Sequence, residues 1–397
     1  MRAKITSTSP IAHATREKYY EFALREYNAS IKYLIDIGRH DKLSIADQET
    51  MLLSSLLFAG LSSIQCDYEQ ATTHAHNGIN LFYEWRFWER ADDALASKAS
   101  HVLPTESLIS LFAHFESQFT NRRRLDWRPQ WPTLIMPESC SSEPYKTVTE
   151  AQYDFQRLLT SFLRWSGNTE TSVWVLPSAT PDFLGRYSAE FRLWRAKFDE
   201  FLASSYRHPS NQEAISYLQL HWLAVEICLR IDYAEGVLAW DKHTSQFIRI
   251  AELAQGAFDD IMGKRDKAGA DYIGFSYSMS ICEVLYFTGI NCRDREIQRS
   301  VIRLLRKWPR RDGVWDSVFI ANLIQARRDV EENATRRDGV PKVENCTCID
   351  GTFVCVDHRV CYQDVEFLQD GTIQITLTTV YAFENNLPPI VVIMDTI

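Results

Sequence analysis

A chain of 397 residues with 45% hydrophobic and 24% charged residues can bury a large core and is no disordered polymer. Its formal net charge of -9 opposes a phosphate backbone, so any nucleic-acid contact has to come from a local patch against the global field. Met1 to Pro10 is polar with no apolar h-region, and the longest near-apolar run, Met51 to Ile64, falls short of the about 20 residues that a membrane span needs. These features predict a soluble intracellular chain without a membrane partner.

The length allows about two or three domains. From Tyr20 onward Leu24, Tyr27, Ile31 and Leu34 recur at helical spacing, which predicts a first helix. Ser44 and Asp47 read as a capping box ahead of the run Met51 to Ile64. Ala71, His74, Gly78 and Leu81 share one face of a third helix, with His74 beside Gly78 expected to fill a tight crossing. Pro129 to Thr149 and Trp165 to Gly185 carry the Pro, Ser, Gly and Asn content of loops. From Gln212 to about Trp240 a helix is apolar nearly all round and should be central.

After about Pro341 the pattern changes from period 3.6 to period 2. Asp350-Gly351 and Asp370-Gly371 are hairpin turn signals, and Ile373, Ile375 and Leu377 alternate with polar residues. The expected fold is all-α, a multi-helix orthogonal bundle with a small C-terminal β-hairpin tail. The expected domains are a helical body over 1–340 and a β-rich tail over 341–397.

Motifs of reaction chemistry are scarce. The sequence holds no Gly-rich phosphate loop, no G-x-S-x-G elbow and no H-E-x-x-H. Gly274-Phe275-Ser276-Tyr277-Ser278 lacks the elbow's second glycine. His74 and His76, two apart on a helix, point to different faces and cannot chelate one ion. Glu226 and Arg230 stand at i,i+4, and an ordinary ion pair explains them. The tail cysteines Cys346, Cys348, Cys355 and Cys361 are spaced C-x-C-x6-C-x5-C, whereas structural zinc sites usually open C-x2-4-C. Thiols alternating on strands account for them more plainly, so no metal or other cofactor is expected and no catalytic residue is assigned.

Two basic stretches need weighing. On the helix ending at Trp308, Ile297, Val301, Leu304 and Trp308 form one face, with Arg299, Arg303, Arg306 and Arg310 opposite, as in a surface helix with a solvated back. Arg122 to Arg124 with Trp127, Arg128 and Trp131 interleave cations and aromatics in a presumed loop, a weak nucleic-acid signal.

The run LYFTGINCRD (Leu285 to Asp294), an amphipathic helix, and then RDGVWD (Arg311 to Asp316) resemble the regulatory region of fungal zinc-binuclear-cluster transcription factors. Ala23-Leu24 with Tyr27-Asn28 and Ile31, the trio Ala71, His74 and Gly78, and Val356 to Phe367 match the same family in the same order. No cysteine precedes Cys66, so this sequence holds no six-cysteine DNA-binding module, and it is either a fragment or a stand-alone relative that kept the regulatory body; the family's DNA-contacting residues carry over to no position here. The resemblance implies a nuclear regulator of transcription by RNA polymerase II, a cytoplasmic location being the alternative. It also implies a small apolar ligand, a homodimer or a DNA-bound transcription factor as partner, with no direct nucleic-acid binding by this chain and no enzymatic activity.

A ligand pocket, if the helices leave one, is expected between Gln212–Trp240 and Tyr272–Thr288, with Trp222, Glu226, Phe275, Tyr277 and Tyr286 as its candidate lining. A solid core would use the same residues. The rival reading is a pathway enzyme or small-molecule binder on the same helical fold, with His221, Glu226, Asp232 and Tyr286 as its polar groups. A plain interaction scaffold is a third.

Overall fold

The computed structural model describes residues 10–39, 42–65, 67–87, 142–167, 181–204, 211–268, 274–276, 280–313, 315–332, 346–349, 353–368 and 372–395, with the isolated positions 108, 111, 112, 115, 140 and 343. The fold is mostly helical with a small C-terminal antiparallel sheet, and no helix among the described residues is long and apolar enough to cross a membrane. The chain divides into two compact units, Met1–Phe112 and Ala113–Thr396.

The first unit holds α1 (Pro10–Ile37), α2 (Ile45–Ile64) and α3 (Tyr68–Glu84). The capping box is present: the Asp47 amide donates to Ser44 Oγ at 3.1 Å and the Ser44 amide to Asp47 Oδ2 at 3.0 Å. Leu52, Leu56 and Ala59 of α2, with Ala71, Ala75 and Ile79 of α3, are buried. The tight crossing closes at Gly78, where an added Cβ would lie 2.8 Å from Ser55 Cβ. His74 sits one turn earlier, half-buried, hydrogen-bonded to Tyr27 Oη at 3.4 Å and edge-on to Phe58.

The second unit is built from α4 (Val148–Gly167), α5 (Pro181–Ala203), α6 (Gln212–Arg230), α7 (Thr244–Ala268), α8 (Ile281–Asn291), α9 (Arg295–Lys307) and α10 (Ser317–Glu332). Pro181 to Gly185 opens α5, so helix replaces the loop expected there. Buried Ile215, Leu218, Leu220, Leu223, Val225 and Ile227 lie on several faces of α6, which packs on α4, α5, α7 and α8. This helix stops at Arg230, ten residues before the expected end. Ile231 is extended, and Asp232 Oδ1 accepts from the Ala234 amide at 3.0 Å to start a 3-10 segment, Tyr233–His243, with Gly236 at φ +59°. The two segments are alike in apolar content, so hydropathy did not mark the break.

Asp294 caps α9, its Oδ1 accepting from the Glu296 and Ile297 amides at 2.9 and 3.0 Å. Ile297, Val301, Leu304 and Leu305 are buried while Arg299, Arg303 and Arg306 are exposed, as the spacing predicts. Arg310 is not on that wet face. It is 6% exposed and belongs to a short strand. Strand β1 (Gly274–Ser276) pairs in parallel with β2 (Arg310–Asp312), which turns at Gly313 (φ +60°) into β3 (Trp315–Asp316). Helical periodicity ends at Trp308, and extrapolating it past Pro309 put Arg310 on the wrong side.

The tail forms β4 (Val360–Phe367), β5 (Thr372–Thr379), a short α11 (Val380–Glu384) and β6 (Ile390–Asp395), a three-stranded antiparallel sheet with β5 central. The expected hairpin is β4–β5, and β6 extends it. Ile373, Ile375 and Leu377 face inward onto Phe319, Leu323, Ala326 and Val330 of α10, each burial stabilising by about 1.5–3 kcal/mol for the larger side chains. The tail is therefore part of the second unit's core.

Candidate functional site: pocket residues, a buried polar chain and a Cys3His cluster

The residues expected to line a pocket meet different partners. Trp222 is buried against Trp194 and Phe191, at ring separations of 5.9 and 6.4 Å. Glu226 pairs with Arg230 at 2.9 Å, as its spacing suggests. Tyr286 packs on Trp315 at 5.2 Å, and its hydroxyl accepts from Gln363 Nε2 at 2.9 Å. Phe275 lies in β1, and Tyr277 lies outside the described residues. The basic-aromatic stretch Arg122 to Trp131 is outside them too.

The polar groups of the enzymatic reading are also spread out. His221 Nε2 donates to the Ser280 carbonyl at 3.0 Å. Ser280 Oγ donates to Asp312 Oδ2 at 2.9 Å and accepts from the Glu283 amide, capping α8. Asp312, fully buried, takes Arg310 Nε at 2.8 Å, and Arg310 Nη1 donates to Tyr217 Oη at 3.3 Å. Burial pushes the Tyr217 phenol up to about 12. This chain of Tyr217, Arg310, Asp312, Ser280 and His221 contains a serine, a histidine and a carboxylate, but the serine proton goes to the carboxylate and the imidazole serves a backbone oxygen. It satisfies buried groups between α6, α8 and β2.

Arg299, Arg303, Arg306, Lys307 and Arg328 line an open groove beside α9 and α10. Arg299 pairs with Glu296, Lys307 with Asp259 and Arg328 with Glu332, while Arg306 donates to Asn322 Oδ1. The Arg299–Glu296 and Lys307–Asp259 pairs are exposed and carry little energy, whereas Arg328–Glu332 is mostly buried.

Among the described residues, one group of metal-ligating side chains converges where the tail begins. Cys346, Cys348, Cys355 and His358 bring their ligand atoms within 4.8 Å of one another. His358 Nδ1 lies 3.5, 3.2 and 3.1 Å from the sulfurs of Cys346, Cys348 and Cys355. The loop is held closed by a two-way backbone bridge, the Ile349 amide donating to the Phe353 carbonyl at 2.9 Å and the Phe353 amide to the Ile349 carbonyl at 3.0 Å. The Cys348 amide donates to Cys346 Sγ at 3.4 Å and the Cys355 amide to Cys348 Sγ at 3.2 Å. Cys355 and His358 are buried, and Cys346 and Cys348 half-buried. Burial lowers the His358 pKa and pushes the Cys348 thiol up to about 12.

The four cysteines of the C-x-C-x6-C-x5-C spacing are not this set. Only Cys361 sits on a strand, β4, where its thiol faces the Thr378 carbonyl at 3.4 Å. The other three thiols lie off the strands, gathered by the bridge and by a one-turn 3-10 helix, Val356–His358. His358 was missed because cysteines were counted alone, although Cys355-x2-His358 was legible.

The cluster is anchored by charges immediately after it. Arg359 binds Asp241 with both guanidinium nitrogens, at 2.8 and 2.7 Å, and donates to the Val237 and Val354 carbonyls. Glu331 accepts from the Val360 amide at 2.9 Å and pairs with Arg293 at 2.9 Å, while Arg327 Nη2 donates to the Val360 carbonyl at 2.6 Å. Burial lowers the Arg327 guanidinium to about 10 despite Glu331 beside it. No protein-family model matches this chain, and neither a curated protein nor a solved structure matches it.

Proposed function

We propose that the chain is a regulatory module of the fungal zinc-cluster type: the effector, ligand-sensing or dimerising part of a transcription regulator, acting in the nucleus. The reading rests on the sequence resemblance. One observation supports it: the two halves of the resembling region interlock, Tyr286 of the first packing its ring 5.2 Å from Trp315 of the second. Around that contact the remaining matched positions are architectural, with Cys292 ending α8, Asp294 capping α9 and Arg311 paired with Asp316 at 3.0 Å. Residues matched as a set and packed as a set are what a shared fold requires.

The test is tethering. Fused to an unrelated DNA-binding domain in yeast, the chain should change transcription of a reporter bearing that domain's site, up or down, several-fold. A stable nuclear fusion that leaves the reporter at the level of the DNA-binding domain alone overturns the reading.

A further inference from the structure

The geometry points to a mononuclear zinc site formed by Cys346, Cys348, Cys355 and His358, independent of the regulatory reading. A tetrahedral zinc ion with Zn–S of about 2.3 Å and Zn–N of about 2.0 Å sets sulfur and nitrogen ligands roughly 3.5 Å apart. The three sulfurs stand 3.1–3.5 Å from His358 Nδ1, and all four donors lie within 4.8 Å of one another. Three thiolates and one imidazole are a soft donor set of the kind that structural zinc takes, and four protein ligands close the coordination sphere to water.

Two further observations concern ligand chemistry. His358 is 2% exposed and its Nε2 has no hydrogen-bond partner, so three sulfurs on the Nδ1 side are the polar neighbours of a buried imidazole. With its proton on Nε2 the neutral ring turns the Nδ1 lone pair toward the three sulfurs, the tautomer in which Nδ1 serves as a metal ligand. Backbone amides also point at the sulfurs of Cys346 and Cys348, the donors that stabilise a metal-bound thiolate. The ion would fix the loop that delivers Arg359 to Asp241 and Val360 to Glu331, so its role is to fasten the sheet to the helices.

The experiment is elemental analysis of the full chain purified without chelator, followed by cobalt replacement. Wild-type protein should carry about one zinc per chain, and the cobalt form should show thiolate-to-cobalt charge transfer with tetrahedral d–d absorption. Cys348→Ser and His358→Asn should lose most of the metal, while Cys361→Ser should keep it. Folded wild-type protein without zinc after growth in zinc-supplemented medium overturns the site, as does a disulfide among the three cysteines or an iron–sulfur spectrum. Equal loss from Cys361→Ser overturns the ligand assignment. Should the ligand variants not fold, titration of the wild-type metal with a chelator, read as release of one zinc with loss of the cobalt spectrum on exchange, decides the question alone.

Discussion

Arg359 and Asp241, 118 residues apart, meet in a two-pronged ion pair that joins the first turn of the tail to the 3-10 segment after α6. The guanidinium is 1% exposed, and the carboxylate stands at the edge of solvent. Removing either partner therefore has unequal effects. Asp241→Ala leaves a buried charge unpaired and should cost about 3 kcal/mol or more. Arg359→Met removes the charge itself and should cost less, because Asp241 can be hydrated. Urea unfolding of the two variants checks the order, and a larger loss from Arg359→Met would reverse the assignment of which partner is the desolvated one.

The faces of α9 and the turn after it give a second contrast. Trp315 is 3% exposed against Tyr286, and Trp315→Ala should destabilise by about 3–5 kcal/mol. Arg303 is exposed on the solvated back, and Arg303→Ala should stay within about 0.5 kcal/mol of the parent. Equal shifts in denaturation midpoint would mean the faces are misassigned.

Helices α8 and α10 meet tightly at Gly289, where an added Cβ would lie 2.8 Å from Ile324 Cγ1. Gly289→Ala should cost about 1–3 kcal/mol by overpacking. Ile324→Ala opens a cavity, yet in combination it also removes the clash. The double variant should be more stable than the sum of the singles by about 1 kcal/mol or more. Strict additivity in a double-mutant cycle would show that the two residues do not meet.

Acid should weaken the second unit through His243. Burial lowers its pKa below the ordinary 6.5, with the charges of Arg230 and Lys242 acting the same way, and its Nδ1 has no hydrogen-bond partner. The unfolded chain then binds the proton more readily than the folded one. This contribution to stability is fully present above pH 6.5 and erodes as pH falls from there toward the depressed folded value. His243→Gln should flatten the pH dependence in that interval. An unchanged slope in denaturation series across it would remove His243 as the cause.

Parts of the helical layout were legible where a helix carried its own local marker, whereas the start of α5 at Pro181 was read as loop. Ser44 with Asp47 announced α2, and the alternation Ile373, Ile375, Leu377 announced the inward face of β5. What escaped were features set by distant partners. Arg310 continues the basic spacing of α9, and only Asp312 two residues on in β2, with Ser280 and Tyr217 from other segments, explains why it turns inward. The break at Ile231 hides inside a run of uniform hydropathy. The Cys3His set needed one residue type more than a cysteine count, and the closure of residues 346–358 depends on the pairing of Ile349 with Phe353.

The packing of β5 on α10 has a consequence for synthesis. The apolar stripe of Phe319, Leu323, Ala326 and Val330 is made first, and its cover, Ile373 to Leu377, comes some tens of residues later. At about 5–20 residues per second the ribosome leaves that stripe without its cover for about 2–10 seconds. During that interval the nascent chain presents an uncovered apolar stripe, a surface that chaperones recognise and that neighbouring nascent chains can foul. How cleanly α10 matures thus depends on the prompt arrival of β5.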